Sequence, residues 1–173
     1  MSAIKNISIN VSSILTRRND QSEAHYFARM FAIAAAPTLM LALVAALLVD
    51  SSPKFSLDPG SGSLFGWQIL TSVFIQPIIE TFILLWPTAL AYDALEKKPR
   101  AALIGILPIV MLHGFSHWLK PTTVAWTFFV QAYAYLELRT TGTSFRSSIA
   151  FVGVFHILWN FLLALALVVI RWQ

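Results

Sequence analysis

The sequence predicts an all-α fold, a polytopic bundle of about five transmembrane helices, and three observations carry that expectation. The 173 residues are 57% hydrophobic and only 12% charged, with a mean hydropathy of +0.71, which excludes an ordinary soluble domain. The apolar residues gather into five runs, near the length needed to cross ~30 Å of hydrocarbon at about 1.5 Å per helical residue. The basic residues cluster on one side of those runs.

Residues 1–25 form a polar segment in which Ile4, Ile7, Ile9, Val11, Ile14 and Leu15 are mixed with Ser, Asn and Lys before "TRRNDQSE". It lacks the uninterrupted apolar core of a cleavable signal peptide and is expected to lie on the membrane surface or to be disordered. Residues 26–173 follow as a single integral membrane domain. The first span is Phe31 to Val49. After it the stretch from Asp50 to Ser63, with Pro53, Pro59, Gly60, Gly62 and its serines, reads as a flexible external loop. The second span is Phe65 to Tyr92, the third Ala101 to Leu119 and the fifth Ile149 to Ile170. The fourth, Thr122 to Leu138, is short and ends in Tyr133, Tyr135 and Glu137.

Charge placement sets the expected topology. Lys5, Arg17, Arg18 and Arg29 precede the first span, Lys97, Lys98 and Arg100 follow the second, and Arg139 and Arg146 lie between the fourth and fifth. The opposite side holds Lys54, Lys120 and Arg171. By the positive-inside rule the amino terminus is cytoplasmic and the carboxyl terminus outside. The net charge of +4 is therefore a topology signal, and no nucleic-acid partner is expected. Trp67, Trp118 and Trp172 sit near span ends, where tryptophan anchors at the interface. The chain has no cysteine, which removes disulfides, thiolate metal sites and a cysteine nucleophile.

Among the carboxylates only Glu80 lies deep within a span. A carboxylate there costs about 3 kcal/mol on insertion scales, so it faces a partner or a hydrated cavity. One alternative is a protonated carboxyl bonded to a backbone carbonyl or to Gln76 one turn away. His113 and His117, one turn apart in "MLHGFSHW", and His156 also fall within spans, whereas His25 lies at the entry to the first. In "FVGVFHILWNFLLALALVVI" the only strongly polar side chains are His156 and Asn160, four residues apart and so on one helical face. These groups are less costly to bury if they share one cavity. No HExxH, no aspartate pair and no Gly-x-Ser-x-Gly context accompanies them.

Three motifs in order, "QPIIETFILLWP", "HGFSHW" and "FHILWNFLL", together with the linking "YAYLELRTTGTSFRSS", resemble the CPBP family of intramembrane endopeptidases, also called the Abi or CAAX-protease family. That family carries EExxxR, FxxxH and HxxxN motifs on separate transmembrane helices. The resemblance covers about Gln76 to Leu163, and implies a four-helix catalytic core at about 66–171. Glu80 keeps the leading glutamate, while Thr81 replaces the second and Leu85 the arginine. His117 takes the motif-two histidine position, with Gly114 and Trp118 at the small and large apolar positions, although a register with His113 and Ile109 stays open.

The resemblance implies that Glu80 and His117 activate water and that His156 and Asn160 donate to the developing oxyanion, with no cofactor. Losing one such donor typically costs ~3 kcal/mol in the barrier. The substrate implied is a membrane-associated protein or peptide, met in the lipid bilayer of a bacterial cytoplasmic membrane. Alternatives are Asn160 as an interhelical hydrogen bond worth roughly 1 kcal/mol, a catalytically inactive relative serving as an immunity or scaffolding protein, and metal or haem ligation by Glu80 and the histidines. Nothing in the pattern specifies an oligomeric state.

Overall fold

A computed structural model of the chain describes residues 11–48, 67, 70–116 and 120–171. The described residues are predominantly helical and include no strand. The order is α1 (Val11–Leu15), α2 (Glu23–Leu48), a π-helical turn (Thr71–Ile75) that runs directly into α3 (Gln76–Leu95), α4 (Lys98–Gly105), α5 (Leu107–Ser116), α6 (Lys120–Thr140) and α7 (Phe145–Arg171). Three segments among them are long and apolar enough to cross a membrane: Thr71–Leu95, Lys98–Phe115 and Phe145–Leu165. The described residues thus form a helical fold with the character of an integral membrane protein. The predicted loop at 50–63, together with His117, Trp118 and Trp172, lies outside the described residues.

Local chemistry explains where the helices begin and end. Ser22 caps α2 by accepting the His25 backbone N–H at 3.2 Å. α3 stops at Glu96, which adopts the left-handed conformation at φ 53°. The third apolar run is two helices in line, because Pro108 lacks the N–H that would continue the ladder and the turn falls at Ile106. α6 ends in a Schellman arrangement: Gly142 takes φ +90° and the Thr143 N–H reaches back to the Leu138 carbonyl at 2.9 Å.

α6 is the centre of the bundle, and every residue from Thr127 to Leu138 is buried. Its polar members Gln131, Tyr133, Tyr135 and Glu137 are therefore enclosed by protein rather than lipid, which is why this helix is the least apolar of the predicted spans. α2 is fastened to it by a Thr38–Thr127 hydroxyl hydrogen bond of 2.7 Å and by the Trp126 indole, which donates to the Ile33 carbonyl at 2.9 Å. Ile33 precedes Pro37 by one turn, so its carbonyl has no backbone donor and the indole supplies one. Against α7, α2 packs a row of rings, Phe27 and Phe31 meeting Phe151, Phe155 and Trp159 at centroid distances of 5.0 to 6.0 Å. α3 and α4 pack closely at Gly105, where a Cβ would overlap Thr88.

The described part of the amino-terminal segment, from Val11, is docked on the bundle. Leu15 is buried, the Tyr26 hydroxyl donates to its carbonyl at 3.1 Å, and Arg29 donates to the Thr16 carbonyl at 2.7 Å. The Arg17 backbone N–H donates to Glu137 Oε1 at 2.9 Å, while Lys98 Nζ is 2.6 Å from Glu137 Oε2. Composition does not reveal this docking because the partner, Glu137, lies 120 residues away in sequence. Arg17, Lys98 and Glu137 thus meet at one end of the bundle.

Candidate functional site

Glu80 is buried on α3, and its two oxygens have separate partners. Oε1 accepts a hydrogen bond from Gln76 Nε2 at 2.6 Å, one turn back on the same helix. Oε2 lies 3.1 Å from His156 Nε2 of α7. His113 of α5 brings its Nε2 to 3.7 Å from Oε1. The Phe128 ring of α6 packs against both imidazoles, with centroids 5.4 Å from His113 and 5.3 Å from His156. Four helices therefore meet here, three of them contributing a titratable side chain and the fourth an apolar wall.

The hydrogen-bond partners constrain the proton on each ring. His113 Nδ1 is 2.9 Å from the Ile109 carbonyl, which can only accept, so Nδ1 carries the hydrogen. Thr81 uses its one hydroxyl hydrogen on the Pro77 carbonyl at 2.7 Å. Its oxygen can then only accept from His156 Nδ1, 3.5 Å away. Both imidazoles are oriented by Nδ1–H, and both turn Nε2 toward the Glu80 carboxyl. At 3.1 Å, the Glu80–His156 contact requires one proton between the two atoms. A carboxyl and an imidazole joined in this way form a unit that can take up or release a proton without moving a heavy atom.

Glu80 and His113 also line a cavity of about 480 Å³ with Gln76, Ile79, Ile83 and Ile109 among its walls. Ile79 is 54% exposed and Leu112, also on the cavity wall, is 50% exposed. The cavity therefore opens on the apolar flank of the bundle between α3 and α5.

The π-helical turn explains how Asn160 enters. Within it the Gln76 N–H bonds to the Thr71 carbonyl, one residue further back than in an α-helix. In that register the Ser72 carbonyl would need the N–H of residue 77, which is proline. Asn160 Nδ2 donates to this carbonyl instead, at 3.1 Å. Asn160 thus ties α7 to the turn that carries Gln76 into the site, one helical turn from His156.

Of the residues singled out in the sequence, Glu80, His113 and His156 come together, and Asn160 lies one turn away with its amide on Ser72. His117 lies outside the described residues. Gln76 stood out in the sequence only as an alternative partner for Glu80, Thr81 only as a departure from a motif, and Phe128 not at all. A Thr four residues after Pro77 was the available signal for Thr81, since its hydroxyl can bond the proline's carbonyl. Phe128 carries no such signal, because an apolar wall is defined only by what packs on it. Among the described residues no group of three or more His, Cys, Asp or Glu side chains is arranged to hold a metal ion. Comparison with protein-family models, with curated proteins and with solved structures finds no match to this chain.

Proposed function

We propose that this protein is an intramembrane endopeptidase of the CPBP type that hydrolyses a peptide bond of a membrane-associated protein or peptide. The observation that carries the reading is the meeting of Glu80, His113 and His156, from three helices, beside a cavity open to the apolar flank. In the same reading the bundle crosses a bacterial cytoplasmic membrane five times, with α2 and α6 added to the three apolar segments and the amino terminus on the cytoplasmic side.

The chemistry needs a base, an oxyanion donor and a route for one proton. Glu80 takes a proton from a water in the cavity, and the oxygen so freed attacks the peptide carbonyl carbon. The bond to the amide nitrogen then breaks, and the proton held between Glu80 and His156 passes to the leaving amine. His113, whose Nε2 faces the carboxyl from the cavity side, orients the water. One amide hydrogen of Asn160 is committed to Ser72 and the other is the oxyanion donor of this reading. His113 serves as the motif-two histidine, the register in which Ile109 replaces the family's phenylalanine.

A second reading, an inactive relative that binds a partner helix, is favoured by two features. Both Glu80 oxygens already have protein partners, and Thr81 and Leu85 stand where the family has a glutamate and an arginine. Mass spectrometry of membrane-tethered proteins from cells expressing wild type, Glu80→Gln, His113→Ala, His117→Ala or His156→Ala at matched levels separates the two. The peptidase reading expects a defined product that disappears with Glu80, His113 and His156 substitutions. A product set identical in wild type and Glu80→Gln leaves only the binding reading.

A further inference from the structure

We propose that the cavity beside Glu80 admits water and substrate from the non-cytoplasmic half of the membrane, so that the bond cut lies at the outer end of the substrate's own membrane segment. The proposal rests on the peptidase reading of that cavity and on the topology that places the amino terminus in the cytoplasm.

One end of the bundle gathers the basic residues. Glu137, near the end of α6, accepts from the Arg17 backbone N–H at 2.9 Å and lies 2.6 Å from Lys98 Nζ at the start of α4. These contacts bring together the amino-terminal turn, the turn from α3 to α4 and the end of α6. Arg18, Lys97, Arg100, Arg139 and Arg146 belong to the same turns or to the helix ends beside them. Among the described residues, the lysines and arginines of the opposite end are Lys120, which opens α6, and Arg171, which closes α7. By the positive-inside rule the richly basic end faces the cytoplasm.

The cavity lies in the other half. Its wall runs from Thr71 to Ile83 on the α3 side and from Ile109 to His113 on α5. At about 1.5 Å per helical residue, Ile83 is about 18 Å from Leu95, Ile109 about 16 Å from Lys98, and His156 about 15 Å from Arg146. Between the cavity and the basic end the helices close. Gly105 of α4 packs so tightly on Thr88 of α3 that a Cβ there would overlap both the side chain and the backbone. Leu84, Thr88, Ala101 and Ala102 are fully buried around this seam, which leaves no passage between α3 and α4 for water or a peptide chain.

The opposite direction is open and polar. Thr71 and Gln76 are both exposed, and they continue the cavity wall from Glu80 toward the end of the span. A water moving along this edge keeps hydrogen-bonding groups beside it. Ile79 and Leu112, also on the wall and half-exposed, face the apolar flank. Water thus enters along one edge and an apolar chain across the other. The substrate class that fits is an anchored protein or peptide whose uncharged, extended segment lies in the outer half of the bilayer.

The test exploits the absence of cysteine from the chain. Ile79→Cys and Leu112→Cys each place a thiol on the cavity wall, and Ser147→Cys places one at the basic end; all three positions are exposed, so the full chain keeps its packing. A membrane-impermeant sulfonated maleimide is applied to intact spheroplasts and to inside-out vesicles. Maleimide reacts with the hydrated thiolate, so labelling reports water reaching the cavity from that side. The two cavity thiols should be labelled in spheroplasts, and Ser147→Cys only in inside-out vesicles. Labelling of the cavity thiols only in inside-out vesicles, or from neither side, overturns the proposal. The second readout is the position of the cut. In products that disappear with Glu80→Gln, the new terminus should fall at the non-cytoplasmic end of the substrate's membrane segment, and a cut at the cytoplasmic end overturns the proposal. If no product depends on Glu80 while the cavity thiols are labelled from outside, the peptidase reading fails and the outward opening of the cavity stands.

Discussion

Replacing Asn160 by leucine, alone and together with Pro77→Ala, tests the link between the π-helical turn and α7 directly. Asn160→Leu removes the amide that donates to the Ser72 carbonyl. Interhelical hydrogen bonds in membranes average about 0.6 kcal/mol and reach about 1.7, and an acceptor left unsatisfied costs about 1–3 kcal/mol. Asn160 is only half-buried, so the lower part of that range applies and the loss should be about 1 kcal/mol. Pro77→Ala gives residue 77 an N–H, which can bond Ser72 in the π register; if the turn tightens to α instead, the Gln76 N–H does so. In either case the carbonyl is satisfied by the backbone, and Asn160→Leu in the Pro77→Ala background should cost less than about 0.5 kcal/mol. Equilibrium unfolding in mixed micelles with rising dodecyl sulfate gives all four values. Equal costs of Asn160→Leu in the two backgrounds would refute the account of Ser72.

The same logic predicts that Trp126→Phe, which keeps the stacking on Phe129 but removes the donor to Ile33, costs about 1 kcal/mol, and that Pro37→Ala removes most of that cost in the same unfolding assay. Glu137→Gln breaks the Lys98 ion pair while sparing an acceptor for Arg17; with Lys98 partly exposed, a loss of about 1–3 kcal/mol is expected, below the range for a fully buried pair, together with faster tryptic cleavage at Arg17 and Arg18. Gly105→Ala forces α3 and α4 apart at Thr88 and should cost about 1–3 kcal/mol. Thr88→Ala should recover only part of it, because the Thr88 backbone is also in the way. Full recovery would place the conflict in the side chain alone.

The helical class and the approximate course of the helices were legible because apolar runs near membrane thickness favour helices, which satisfy their own backbone groups in lipid. Glu80, His113 and His156 stood out for a related reason: each is expensive to bury, so each signals a partner. The sequence by itself could not say that α6, the least apolar of the predicted spans, is the central helix, since a polar residue enclosed by protein and one facing water look alike in one dimension. Nor could it assign Asn160 to the Ser72 carbonyl, a pairing that depends on Pro77 nearby and on a helix far away in the chain.

Tertiary structure decided those points because each depends on which groups come within hydrogen-bonding distance. Pro77 removes the N–H that the Ser72 carbonyl would have used in the π register, and only the packing of α7 beside that turn brings the Asn160 amide to replace it. Thr81 and Gln76 acquire their roles in the same way, as a hydroxyl and an amide that packing places against His156 and Glu80. The sequence determined which polar groups the bundle had to satisfy, and the packing of its helices determined which of them satisfy one another.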